Sequence, residues 1–382
     1  MDRVVHRRPG FTVAVAQCSD KILNFEAVNN ENQRGWYTGY GMTYLYNADT
    51  GHYQNDFWPT VDARRLAGTT VDTRIDGVAS AQPGKAPVGG VSVGANGLTG
   101  MRLSVYDDAL TGKKAWFMFG DVILCAGTHI ACTSPHSVET IIENRNIGPA
   151  GAGDNVALFN SMTTQRLTGK GVQETFTAPK WLHLADVGGY VILAGNPPLK
   201  GIREERSGSW YDINKRPSSP TDPRTRTYVT LWLDHGVTPD AQSYAYVMLP
   251  NATAAETASY SASPSITPME NSPRLQYAKG VFPTSTVWGA IFWNDAACSH
   301  DIISANTTAC VFVRMTDSAI EVAVSDPTKA GAKIITVTIT INNSGIQSQD
   351  PNITVTRTAT AVTVTFNPAG TLGQSKHFVL NP

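Results

Sequence analysis

Hydrophobic residues recur at every second position along much of the chain. In "KIITVTITI", Ile335, Val337, Ile339 and Ile341 fall on one side, and Thr336, Thr338 and Thr340 on the other. "AIEVAVSDP" repeats the alternation with Ile320, Val322 and Val324, and "VTVTF" with Val362, Val364 and Phe366. A period of two is that of a half-buried strand, and β-branched residues suit a pleated, one-sided surface. "TYVTLWLDHG", "YAYVMLPN", "AWFMFGDVILCAG" and "FTVAVAQCS" read the same way, with turn pairs such as Asn-Asp, Gly-Asp and Pro-Gly between strands. No amphipathic pattern of helical length stands out. The pattern predicts an all-β protein.

One shift in composition suggests a boundary. "ATAAETASYSASPSITPMENSP" is rich in Ala, Ser, Thr and Pro without a strong period, and reads as a linker over residues 252–273. A large domain over 1–251 and a smaller sandwich over 274–382 are expected on either side. The Gly- and Ala-rich stretch 71–97 reads as a mobile excursion.

Charge changes the picture by exclusion. The net charge is −1 and charged residues make up 16% of the chain, against about a quarter in ordinary domains. With no Lys/Arg-rich run, a nucleic-acid partner is not expected, because phosphate neutralisation needs clustered cations. The longest apolar runs, such as "GGYVILAG", are strand-sized, so no membrane partner is expected either. "MDRVVHRRPGFTVAVAQCSDK" carries no apolar core of an export signal. The five cysteines show no CxxC spacing and read as buried thiols, with Cys125–Cys132 and Cys298–Cys310 left open as disulfides.

The segment "NNENQRGWYTGYGMTYLYN", preceded by "MDRVVHRRPGF", is the densest in unusual residues. "YQNDFWPTVDARRLAGTTVDT", "KAWFMFGDVILCAGTHIACTSPHSVETIIENR" and "DHGVTPDAQSYAYVMLPN" follow it. Together these stretches resemble the polysaccharide lyases of family 8, which act on hyaluronan, chondroitin or xanthan. Tyr40 stands where the family pattern has Asp, and Ala67 where it has Pro. The resemblance implies a large antiparallel super-sandwich of mutarotase-like fold, then a small C-terminal β-sandwich. It also implies an acidic polysaccharide partner, β-elimination chemistry and an extracellular setting. Family members carry their catalytic Asn, His, Tyr and Arg on an N-terminal α/α-toroid, and Met1 matches an interior family position. The expectation is a β-portion that is inactive unless a separate or missing toroid completes it.

By that resemblance "NNENQ" is a loop facing the cleft. Glu31 would tune the toroid's catalytic residues, while Asn30 and Asn32 would hydrogen-bond the sugar or the catalytic shell. Taken from the residues alone, the same loop is an Asx-rich turn. Arg34 could grip a sugar carboxylate or pair with a local acid. Trp36, Tyr37, Tyr44 and Tyr46 could stack on sugars or pack between sheets. His52, His129, His136, His183 and His235 show no metal or catalytic spacing, and no GxSxG or phosphate loop occurs. No cofactor is implied. Calcium stays open because oxygen-rich turns such as "YDD" could hold it, with no ligand named. Two other readings remain: a non-catalytic carbohydrate-binding or scaffold β-protein, and a sugar epimerase, for which no acid–base pair is apparent.

Overall fold

The computed structural model describes residues 2–84, 87–152, 158–161, 163–167, 169–193 and 195–382. Its helices are short, and strands dominate. A three-stranded antiparallel sheet is formed by Arg3–Arg8, Phe11–Gln17 and Tyr40–Tyr46. A five-stranded sheet runs in the order Gln173–Phe176, Leu199–Gly208, Arg224–Val237, Ser137–Pro149 and Thr70–Asp72. A nine-stranded sheet runs from Thr163–Arg166 at one edge to Val88–Val93 at the other. Seven-stranded and five-stranded sheets complete the chain.

By its contacts the chain divides into two compact units, one of residues 1–86, 103–112 and 130–262, the other of 87–102, 113–129 and 263–382. These contact-based units are discontinuous in sequence. The division falls within the strands Asn96–Val105, Leu110–Phe119 and Val122–Cys132.

In the first unit, the strand Arg224–Val237 lies between Leu199–Gly208 and Ser137–Pro149 and is buried on both faces from Tyr228 to Leu233. That explains its run of Tyr, Val, Leu and Trp, which does not alternate cleanly. Three register shifts against Ser137–Pro149 bend the pair.

In the second unit the alternation is realised as read. Ile335, Val337 and Ile339 pair with Phe366, Val364 and Val362 and are at most 3% exposed together with them. The threonines between them pair on the opposite face, Thr338 Oγ1 lying 2.9 Å from Thr363 Oγ1. The inward residues join Leu275, Tyr277, Phe292 and Val311 of the seven-stranded sheet in one core. Each such side chain contributes about 1.5–3 kcal/mol by leaving water.

Two expectations need correcting, and the cysteines follow the reading as buried thiols. The 252–273 stretch is not a plain linker: it holds the helix Ala254–Ala262 and the strand Ile266–Asn271. A reciprocal cap starts the helix, with Glu256 N–H donating to Thr253 Oγ1 and Glu256 Oε2 accepting from Thr253 N–H. The 71–97 stretch is anchored at both ends by strands. Between them, Asn24 donates to the Ala79 carbonyl and accepts from Ala81 N–H. All five cysteines are free; Cys18, Cys125, Cys132 and Cys310 are buried and Cys298 is half-buried. Cys125 and Cys132 lie on one strand, Val122–Cys132, whose extended backbone carries them apart. Among the described residues no helix is long and apolar enough to cross a membrane.

Candidate functional site

The loop singled out in the sequence is built on three left-handed asparagines: Asn29 (φ 53°), Asn30 (φ 61°) and Asn32 (φ 51°). Among residues with a side chain, Asn tolerates this conformation best. The loop is tied to the short helix Trp210–Ile213 and the residues after it. Gln33 N–H donates to the Ile213 carbonyl (2.8 Å), Lys215 N–H to the Asn30 carbonyl (2.7 Å), and Asn32 N–H to Asn214 Oδ1 (2.9 Å). The helix has its own capping box, Ser209 and Asp212 each accepting from the other's backbone.

Within this frame the expected site residues have different fates. Asn30 presents an exposed side chain without a hydrogen bond among the described residues. Glu31 pairs with Arg216 at 2.7 Å, the two side chains 40% and 52% exposed. Asn32 spends its amide on the Glu26 carbonyl (2.8 Å), so it braces the loop. Arg34 and Trp36 line a groove of about 540 Å³. A Cβ on Gly77 would lie 2.2–2.4 Å from three indole atoms of Trp36, so one face of that ring rests on Gly77.

Tyr37 must be reassigned. It is 0% exposed, its hydroxyl is bonded to that of Tyr106, and it offers no face to a sugar. Burial pushes its hydroxyl up, and that of Tyr106 up to about 12. Tyr40 is also buried, so the departure from the family pattern falls in the core. Ala67 accepts Thr43 N–H (2.7 Å) within the turn that precedes Thr70–Asp72.

The groove also contains Asp62, Arg64 and Arg65 from the turn after the helix Phe57–Thr60, and Arg206 from Leu199–Gly208, none of them singled out in the sequence, together with Glu204 of the same strand. Most of these charges are already paired. Arg64 grips Asp62 through Nε (2.9 Å) and Nη2 (3.2 Å). Arg65 grips Glu139 with two bonds of 2.8 Å, its guanidinium 4.4 Å from the Trp232 ring centroid. Arg206 reaches Glu204, Asn144 and Thr230. Burial pushes the Asp62 carboxyl up, but hydrogen bonding from Arg64 and the charge of Arg206 outweigh it and hold the group below the usual carboxylate range. Glu139 is pushed up by burial, against the pull of Arg65. Of the groove's arginines, Arg34 is exposed and makes no hydrogen bond or ion pair among the described residues.

Arg64 and Arg65 were visible as a basic pair in "DARRL". Arg206 was signalled by "REERS", where Glu204 and Arg206 alternate onto one face.

The histidines lie elsewhere. His52 is buried, accepts Asn146 N–H (3.1 Å), and is held well below the ordinary histidine value by burial and by the Arg145 charge. His235 Nε2 lies 2.8 Å from Thr140 Oγ1. No group of three or more His, Cys, Asp or Glu that could hold a metal occurs among the described residues. What this groove offers is an open guanidinium and an aromatic face, set among arginines fixed by their acids.

Comparison with known proteins matches residues 1–261 to the super-sandwich domain of polysaccharide lyase family 8, and 269–335 to that family's C-terminal β-sandwich domain. A xanthan lyase of Bacillus sp. strain GL1 is 42% identical over 88% of this chain, and a hyaluronate lyase of Thermasporomyces composti 36% over 87%. The chain spans only 36% and 42% of the lengths of these two relatives. Paenibacillus xanthan lyase superimposes on all of this chain with a TM-score of 0.92 at 37% identity, over 37% of its own length. Streptomyces coelicolor chondroitin AC lyase, solved in complex with chondroitin sulphate, gives 0.85 at 31% identity and is 48% covered. The chain belongs to polysaccharide lyase family 8.

Proposed function

We propose that this chain forms one wall of the substrate cleft in a lyase that cleaves uronate-containing polysaccharide by β-elimination. The observation that carries this reading is Arg34, a guanidinium with its fork open beside the half-exposed Trp36 in a groove of paired charges. Guanidinium and carboxylate meet through two parallel hydrogen bonds, and an indole face accepts the apolar side of a sugar ring. The neighbouring arginines are committed to Asp62, Glu139 and Glu204, which fixes their positions; Arg34, whose charge reaches Asp212 without a hydrogen bond to it, keeps its fork open for a uronate.

β-Elimination removes the weakly acidic proton next to the sugar carboxylate. A cation or amide must neutralise that carboxylate as negative charge spreads, a base takes the proton, and an acid protonates the departing glycosidic oxygen. The groove residues supply the first of these needs. No His or Tyr is among the residues that line it. Proton transfer is therefore assigned to another polypeptide segment, such as the family's toroid, with Glu31 and Asn30 positioning it from the edge of the loop.

The test uses the purified chain with hyaluronan, chondroitin sulphate and xanthan, following retention of the polymer and the ultraviolet absorbance of unsaturated uronate. Binding without turnover is expected, and Arg34→Ala should weaken binding about tenfold, the scale of a charge-assisted hydrogen bond. Turnover by this chain alone would contradict the assignment of proton transfer to another segment.

A further inference from the structure

The three-stranded sheet turns Val13, Val15 and Leu45 inward, at most 4% exposed. Its other face carries a different set of residues. Strand register puts Arg7, Thr12 and Tyr46 in one cross-strand row and Val5, Ala14 and Tyr44 in the next. Directly opposed residues project to the same side of a sheet. Tyr46 is 48% exposed and Val5 55%. The rings of Tyr44 and Tyr46 are parallel within 2°, with centroids 6.1 Å apart, and Tyr53 closes against Tyr46 at 4.8 Å. Arg7, and Arg3 two residues before Val5, are exposed and make no hydrogen bond or ion pair among the described residues. No acid occupies either row. None of these residues lines the groove that holds Arg34.

This is an aromatic platform facing a basic edge across two small side chains, Thr12 and Ala14. Each part suits a different portion of one ligand. Tyrosine rings take the apolar faces of successive sugars and keep their hydroxyls as donors, while the guanidinium forks take carboxylates. An unpaired basic edge also draws an anionic polymer from a distance. A neutral glycan would leave the arginines unused, and a flat apolar partner would have to strip water from them without compensation.

We propose that this sheet face is a second glycan-binding site, outside the groove, that holds an acidic, uronate-bearing polysaccharide chain. The inference shares the ligand class of the function proposed above, but it places the contact on different residues. Such a site would keep a long polymer on the protein between encounters with the cleft, a gain in effective concentration with no change at the groove.

The experiment measures binding of short hyaluronan and xanthan fragments to the full chain by calorimetry, with neutral dextran as the control for charge. In an Arg34→Ala background, fragment binding should persist, and adding Tyr46→Ala or Arg7→Ala should weaken it about tenfold. Dextran should not bind, and raising the salt should weaken the acidic fragments. Arg7 is exposed and unpaired, so Arg7→Ala should melt with the parent; Tyr46 packs on Tyr44 and Tyr53, so Tyr46→Ala is compared at a temperature well below its own melting transition. Unchanged affinity in the double variants, or no fragment binding at all, overturns the proposal. So does a Tyr46→Ala variant that changes sedimentation and not fragment affinity, which would make the face a protein contact. Failure of the groove reading looks different: Arg34→Ala would bind as the parent does while Tyr46→Ala alone loses affinity.

Discussion

At the scale of single residues, Glu31 and Arg216 separate stability from activity. Their ion pair is 2.7 Å long with both side chains well exposed, and such pairs contribute at most about 1 kcal/mol. Glu31→Gln should therefore leave the thermal midpoint within a few degrees. In the complete lyase it should lower kcat with little change in KM, because the residue is proposed to position catalytic groups. A large loss of thermal stability with unchanged kcat would make Glu31 a structural residue. Sequence separated such roles only where chemistry left one option. Arg34 was equally consistent with a local pair until the geometry showed it making no hydrogen bond or close ion pair among the described residues, with Asp212 near enough only to feel its charge. Trp36 and Tyr37 are adjacent and both aromatic, yet one lines the groove and the other is fully buried. Nothing local distinguishes them, since the choice is made by Gly77 and Tyr106 far along the chain.

At the scale of elements, the loop Asn29–Arg34 depends on a helix of four residues. Trp210–Ile213 is too short to be stable by propensity, and its Ser209–Asp212 capping box holds it in place. Ser209→Ala should cost about 1 kcal/mol. It should also speed amide exchange at Gln33 and Lys215, whose hydrogen bonds join loop to helix. Unchanged exchange at those two amides would show that the loop keeps its shape without the helix. Strands were the legible elements, because a period of two survives wherever one face meets water. The doubly buried strand Arg224–Val237 kept its apolar run but lost the alternation. The helix Ala254–Ala262 was hidden by its Ala, Ser and Thr content, although "TAAE" spelled out its cap.

At the scale of the whole molecule, the all-β class and the family were both readable, because long stretches of motif persist at 36–42% identity to known lyases. The discontinuous contact units are a different matter, because no local pattern encodes them. Residues 87–102 and 113–129 group with the C-terminal sandwich through contacts formed across more than a hundred residues, such as Ser325 Oγ donating to the Gly90 carbonyl and the Phe119–Phe312 ring contact. The cysteines carry a practical corollary. Four of the five are sealed in the interior and Cys298 alone is half-buried, so the native protein has a single addressable thiol. A maleimide dye should add once to the folded chain and five times after denaturation, as read by mass spectrometry; several adducts on the folded form would show that the interior opens readily. Because no crosslink fastens the fold, that dye would ride on the C-terminal unit through repeated cycles of reduction, a fluorescent flag installed without engineering a single codon.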